Sequence, residues 1–114
     1  MTPLKLTRND ADFYTLLGPV FGSRALEKET RDRFYDDPDK IWYLLPGEGV
    51  ASLLGGVIRN FWAVDDAAAE TLIQALLQDV DRPRGILPRI YERPFRRQGF
   101  HTAGYRKNFI EVSL

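Results

Sequence analysis

Hydrophobic positions change their period several times along the chain, and each change marks an element. Leu4–Thr7 alternates and reads as a first strand. Asn9 or Asp10 is placed to cap a helix running to about Leu17, which Gly18-Pro19 interrupts. Ser23 caps a second helix, roughly Arg24–Tyr35, with Leu26, Phe34 and Thr30 on its inner face, and Asp36-Asp37-Pro38-Asp39 stops it. Ile41–Leu45 is rich in strand formers. The turn Pro46-Gly47-Glu48-Gly49 leads to a strand at Val50–Leu54, and Gly55-Gly56 is a two-residue hairpin signal before a third strand, Val57–Val64.

Asp65 or Asp66 then caps a strong helix over Ala67–Val80, with Leu72, Ile73, Leu76 and Leu77 on one side. Ile86-Leu87 suits a short buried strand. Pro94 fits the first position of a brief helix that Gly99 ends. Ala103–Val112 closes the chain as a long strand segment with a bend near Asn108. The expected order is β-α-α-β-β-β-α-β-α-β, an α/β domain with a mixed central sheet flanked by helices. At 114 residues, with no repeat or linker, one domain covers residues 1–114.

Composition narrows the chemistry. Cysteine is absent, so disulfides, thiolate metal sites and a cysteine nucleophile are excluded, and a single His leaves no His-rich metal site. No metal is expected. No apolar run approaches the ~18 residues of a membrane span, and Met1–Asn9 has no signal-like apolar stretch, so the default expectation is a cytoplasmic protein.

The net charge of zero is unevenly distributed: residues 1–81 carry −6 and residues 82–114 carry +6. Arg89, Arg93, Arg96, Arg97, Arg106 and Lys107 make up most of the basic end, interleaved with Tyr91, Phe95, Tyr105 and Phe109. Two readings stand. The cations form a surface for an anionic ligand, a nucleic acid or an acidic partner. Or they are a solvated face neutralised within the monomer by Asp36, Asp37 and Asp39 or by Glu27, Glu29 and Asp32. The pI near 6.6 argues against strong non-specific nucleic-acid binding. The acceptor or protein partner and the oligomeric state, a homodimer included, stay open.

The stretch Phe95-Arg96-Arg97-Gln98-Gly99-Phe100 and the strand after it resemble the closing element of the GNAT superfamily of acyl-CoA N-acyltransferases. There a helix ends in an aromatic-x-x-x-Gly-Phe signature before the last two strands. The element order matches that fold along most of the chain, and the sequence match is specific from about Phe95 to Leu114. The resemblance implies an N-acetyltransferase using acetyl-CoA, with a non-catalytic GNAT-fold binding module as the alternative.

The family holds the acyl-CoA pyrophosphate at a Gln/Arg-x-x-Gly-x-Gly/Ala turn before the helix that follows its fourth strand, where backbone N–H groups and the helix terminus favour negative charge. The matching stretch here is Val64-Asp65-Asp66-Ala67-Ala68-Ala69. Val64 takes the Gln/Arg position, Ala67 the first Gly, and Ala69 alone satisfies the pattern. Asp65 and Asp66 put carboxylates where phosphates belong. The family's general acid is often the Tyr of its Tyr-x-x-x-Gly-Phe helix; that position is Phe95 here. Tyr91, four residues earlier, shares its face if the helix reaches back past Pro94. His101 is the one side chain with an ordinary pKa near neutrality. The general base is often a Glu on the fourth strand. Val57–Val64 has no acid, and Glu48 lies in a turn.

Overall fold

The computed structural model describes residues 2–114. Strand β1 (Leu4–Leu6) is followed by helices α1 (Phe13–Phe21) and α2 (Arg24–Thr30). Strands β2 (Ile41–Leu45), β3 (Gly49–Leu54) and β4 (Val57–Ala63) form a meander. Helix α3 (Asp66–Asp79) leads to β5 (Arg84–Pro88). A 3-10 turn (Arg89–Tyr91) runs into helix α4 (Glu92–Arg97), and strands β6 (His101–Arg106) and β7 (Phe109–Ser113) end the chain. The seven strands make one sheet in the order β1-β2-β3-β4-β5-β7-β6, antiparallel throughout except for β4 beside β5.

Both faces of the left half of this sheet are covered, and period-2 alternation sorts the side chains between them. On β2, Trp42 and Leu44 join Phe13, Leu17, Leu26 and Phe34 of the α1–α2 side. Tyr43 and Leu45 join Leu72, Ile73, Leu76 and Phe95 of the α3–α4 side. This is why β2 reads as an unbroken apolar run. The α3 pattern behaves as its spacing implies: Leu72, Ile73 and Leu76 are fully buried and Leu77 is half-buried against the same cluster. Gly55 and Gly56, with φ of 58° and 78°, form the tight β3–β4 turn.

Four local expectations are corrected. Helix α1 begins after Asp12, because Asp10 is spent accepting the Thr7 N–H at 2.7 Å in the preceding turn. The helix continues through Gly18-Pro19. Gly18 has no Cβ to clash with the proline ring, and only one intrahelical bond is lost. Helix α2 stops at Thr30, where Arg31 turns into the left-handed region at φ 57°. The final segment is two strands rather than one: Lys107-Asn108 turns the chain back, pairing Arg106 with Phe109 and Gly104 with Ile110.

Residues 31–40, expected in part to be helical, are pinned to the sheet by a buried polar cluster. The Lys40 ammonium donates to Asn60 Oδ1 at 3.0 Å and pairs with Asp37 at 3.0 Å. Ser52 donates to the same Asn60 oxygen, and the Asn60 amide donates to Asp32 and to the Arg33 carbonyl. Each polar group there has a partner, as burial demands. The Asp32 carboxyl is pushed up from its ordinary range by that burial.

Candidate functional site: the split between β4 and β5

Strands β4 and β5 touch only at their beginnings, pairing Val57 with Arg84 and Ile58 with Gly85. The contact is close because Gly85 has no side chain: a Cβ there would stand 2.5 Å from the Ile58 carbonyl oxygen. Beyond that point the strands part. β4 stays with β3 as far as Ala63, while β5 stays with β7 as far as Pro88. The result is a wedge in the middle of the sheet, open at the C-terminal ends of both strands. Crevices of this kind are where open sheets of α/β proteins take ligands.

The floor of the wedge is aromatic. The 3-10 turn runs continuously into α4, so Tyr91 and Phe95 share one face despite Pro94, which occupies the third helical position, where its missing N–H costs little. Both rings meet Phe61 of β4 edge-on, at centroid distances of 5.1 and 5.0 Å. Phe95 also packs on Phe100, so the aromatic-x-x-x-Gly-Phe signature acts here as a core clamp, with Gly99 at φ 90° turning the chain between them. The Tyr91 hydroxyl accepts the Ala63 N–H at 3.2 Å, while its own hydrogen has only the Ala63 carbonyl at 3.5 Å. Burial pushes the hydroxyl's pKa up; the Ala63 hydrogen bond works against this, and the charge of Glu29 adds to it.

Glu29 was expected from the sequence only as one of the acids that could neutralise the basic end, not as a site residue. It reaches the site from α2, where its Oε2 accepts the Trp62 indole N–H at 3.0 Å. With Thr30, Arg31, Pro88, Arg89, Ile90, Lys107 and Asn108 it lines a cleft of about 180 Å³ at the mouth of the wedge, on the α2 side. Only the assembled fold brings α2 to the end of β5. A lone Glu in a short amphipathic helix gives no such signal.

The other sequence candidates are dispersed. His101 is exposed on edge strand β6, in line with Ser113 and Arg84 at the closed end of the wedge. Tyr91 stands past the opposite end of β5, beyond the roughly 13 Å that the strand rises from Arg84 to Pro88, so the two are not brought together. Glu48 is exposed in the β2–β3 turn, and its carbonyl accepts the N–H of Val64.

At the start of α3, Asp65 accepts the Ala68 N–H at 2.8 Å and caps the helix with its own carboxylate. Asp66 lies 3.8 Å from both Arg93 and Arg97 of α4. The helix terminus is therefore supplied with negative charge from within, and Ala67 and Ala69 stand beside a terminus already capped. These residues do not fit a pyrophosphate held in the family's usual way.

All six cations singled out in the sequence are exposed, and they form two groups. Arg93, Arg96 and Arg97 lie along α4, with Arg89 at its entrance, in a groove of about 610 Å³ that includes Asp66 and Glu92. Arg96 pairs with Glu92 at 3.3 Å, and Arg97 also approaches Glu70 at 3.7 Å. The neutralising acids thus come from α3 and α4, not from Asp36, Asp37, Asp39 or α2. Asp36 is held by Arg8 and Tyr14. Arg106 and Lys107 sit apart, at the β6–β7 turn, and Arg89 lies between the two groups, its guanidinium donating to the Arg106 carbonyl.

The fold is GNAT-like. In a comparison with solved structures, 99% of this chain is similar to 96% of the Campylobacter jejuni N-acetyltransferase PseH, crystallised in complex with acetyl coenzyme A, with a TM-score of 0.53 and 12% sequence identity. At that identity the likeness establishes the fold. No protein-family model matches the chain, and the search of curated proteins found no match. No helix among the described residues is long and apolar enough to cross a membrane, and no cluster of His, Cys, Asp or Glu among them could hold a metal ion.

Proposed function

We propose that this protein is an acyl-CoA-dependent N-acyltransferase with an atypical phosphate site. The observation that carries the reading is the Tyr91 hydroxyl at the parting of β4 and β5, protonated and only loosely committed as a donor. An acyl thioester in the wedge would supply an activated acyl carbon, which passes to an amine nitrogen as the carbon–sulfur bond breaks. Tyr91 then donates a hydrogen bond to the departing sulfur. With its pKa raised above the ordinary 10, it does not give up its proton outright to a thiolate whose acid is near 8.5. The Glu29 carboxylate, at the mouth, would take the proton from the amine nitrogen through the oxygen that Trp62 leaves free. An anionic tail would meet the arginines of α4 rather than the α3 turn, in exchange for their exposed partners Asp66, Glu70 and Glu92.

A second reading is favoured by the self-satisfied α3 terminus: a non-catalytic GNAT-fold module that binds a ligand in the wedge mouth. Thermal melting with acetyl-CoA separates the two, since a ligand at 100 times its Kd stabilises by ~2.7 kcal/mol. A dose-dependent rise in Tm supports the acyltransferase. No shift at millimolar acetyl-CoA leaves only the module.

A further inference from the structure

We infer that the cleft at the mouth of the wedge takes an amine that also carries an anionic group, such as a phosphate or carboxylate. Three cations line it, Arg31, Arg89 and Lys107, against one acid, Glu29. Among the described residues, none of the three cations forms an ion pair. The α4 arginines differ in this respect, since Arg93, Arg96 and Arg97 each have a carboxylate within 4 Å. The mouth therefore carries uncompensated positive charge in a concave site, the arrangement that concentrates anions.

The geometry gives the two ends of such a ligand separate places. Glu29 is fixed by Trp62 rather than by the cations, so its free carboxylate edge remains for an ammonium group. Arg31 is the one non-glycine residue with positive φ among the described residues, at 57°. A bulky residue held in the left-handed region has a conformational cost that glycine would avoid. Here that conformation ends α2 and leaves Arg31 on the cleft wall. Arg89 is braced by its bond to the Arg106 carbonyl, and Lys107 sits in the turn that closes the β6–β7 hairpin. A volume of about 180 Å³ suits the head group of a small acceptor and is too small for a whole coenzyme. The amine's role as acceptor rests on the acyltransferase reading; the anion site rests on the charge geometry alone.

The test is calorimetric titration of the intact protein with glucosamine and glucosamine 6-phosphate, which differ by the anionic group, and with inorganic phosphate as a control. Amide shifts in NMR spectra locate the site. The expected result is at least tenfold tighter binding of glucosamine 6-phosphate than of glucosamine. Shifts should centre on Arg31, Arg89 and Lys107, and the preference should be lost in Arg31→Glu/Lys107→Glu. Arg82→Glu, in the exposed loop after α3, should keep the preference and shows that a general loss of positive charge is not the cause. Equal affinities, no binding of either sugar, or a preference that survives the Arg31/Lys107 reversal would overturn the inference. Failure of acetyl-CoA to bind would sink the acyltransferase reading and leave this result standing.

Discussion

The hydroxyl of Tyr91 accepts the N–H of Ala63 at 3.2 Å, joining the turn after β5 to the end of β4 at the point where the two strands have parted. The side chain bridges the gap that the missing ladder leaves. Removing the hydroxyl strands a buried backbone donor, a loss worth about 1–3 kcal/mol. In Tyr91→Phe, the Ala63 amide is expected to exchange with solvent markedly faster while the amides of α3 keep their protection. An unchanged Ala63 rate would mean that the hydroxyl is not its partner in solution.

The wedge owes its closed end to Gly85. A methyl group there would meet the Ile58 carbonyl and Cβ at 2.5 and 2.8 Å, both parts of a packed strand that cannot swing aside. Gly85→Ala should therefore destabilise by about 1–3 kcal/mol, the range for overpacking. Gly22→Ala, where a Cβ meets only the Gly18 carbonyl at an ordinary 3.7 Å, serves as the control and should cost far less. Denaturant melts of the two variants check the contrast.

At the start of α3, the account expects weak coenzyme binding. With Asp65 capping and Asp66 adding charge, acetyl-CoA should bind with a Kd above roughly 10 µM, less than about 7 kcal/mol of binding free energy. Replacing Val64–Ala69 by a Gln-x-x-Gly-x-Gly turn should tighten it, though loss of the Asp65 cap costs about 1 kcal/mol of stability. Titration calorimetry on both proteins is the check. A low-micromolar Kd in the unaltered chain would contradict this account of the turn.

Much of this fold is legible because its signals are local. The β2–β4 meander, the Asp-capped α3 and the Gly99 stop each rest on residues within a few positions of one another. What escaped is tertiary. Asp10 is a plausible helix cap until Thr7 claims it, and Arg31 ends α2 without the glycine that usually announces a left-handed stop. The β6–β7 turn escapes because Lys107-Asn108 carries no Gly or Pro signal and β6 has no buried residue to set its own register; only β7 reaches the core, through Ile110 and Val112. The site divides the same way. Tyr91 is found from its spacing to Phe95, whereas Glu29 reaches the wedge only because α2 lies across β4. Two of the acids that pair with the α4 arginines, Asp66 and Glu70, come from α3 because those helices are neighbours in space; the third, Glu92, lies one turn away on α4 itself.

Stability should depend on pH through Asp79. Hydrogen bonds from Tyr43 and then from Lys5 hold its carboxyl below the ordinary 3.8. The unfolded chain therefore binds the proton more readily than the folded one. The contribution is fully present above the unfolded value and is lost as pH falls through the folded one. Asp79→Asn should melt below the unaltered protein at pH 7, and the gap should close as the pH is lowered below that window. A gap that is the same at every pH would show that the charge contributes nothing.

The most direct test of the central claim is release of free CoA thiol from acetyl-CoA with an amine acceptor present, comparing the unaltered protein with Tyr91→Phe at matched folded concentration. The account predicts acceptor-dependent release that falls by a factor of roughly 100 in the variant, the cost of removing one donor aimed at developing charge. No acceptor-dependent release, or equal release from both proteins, would contradict it.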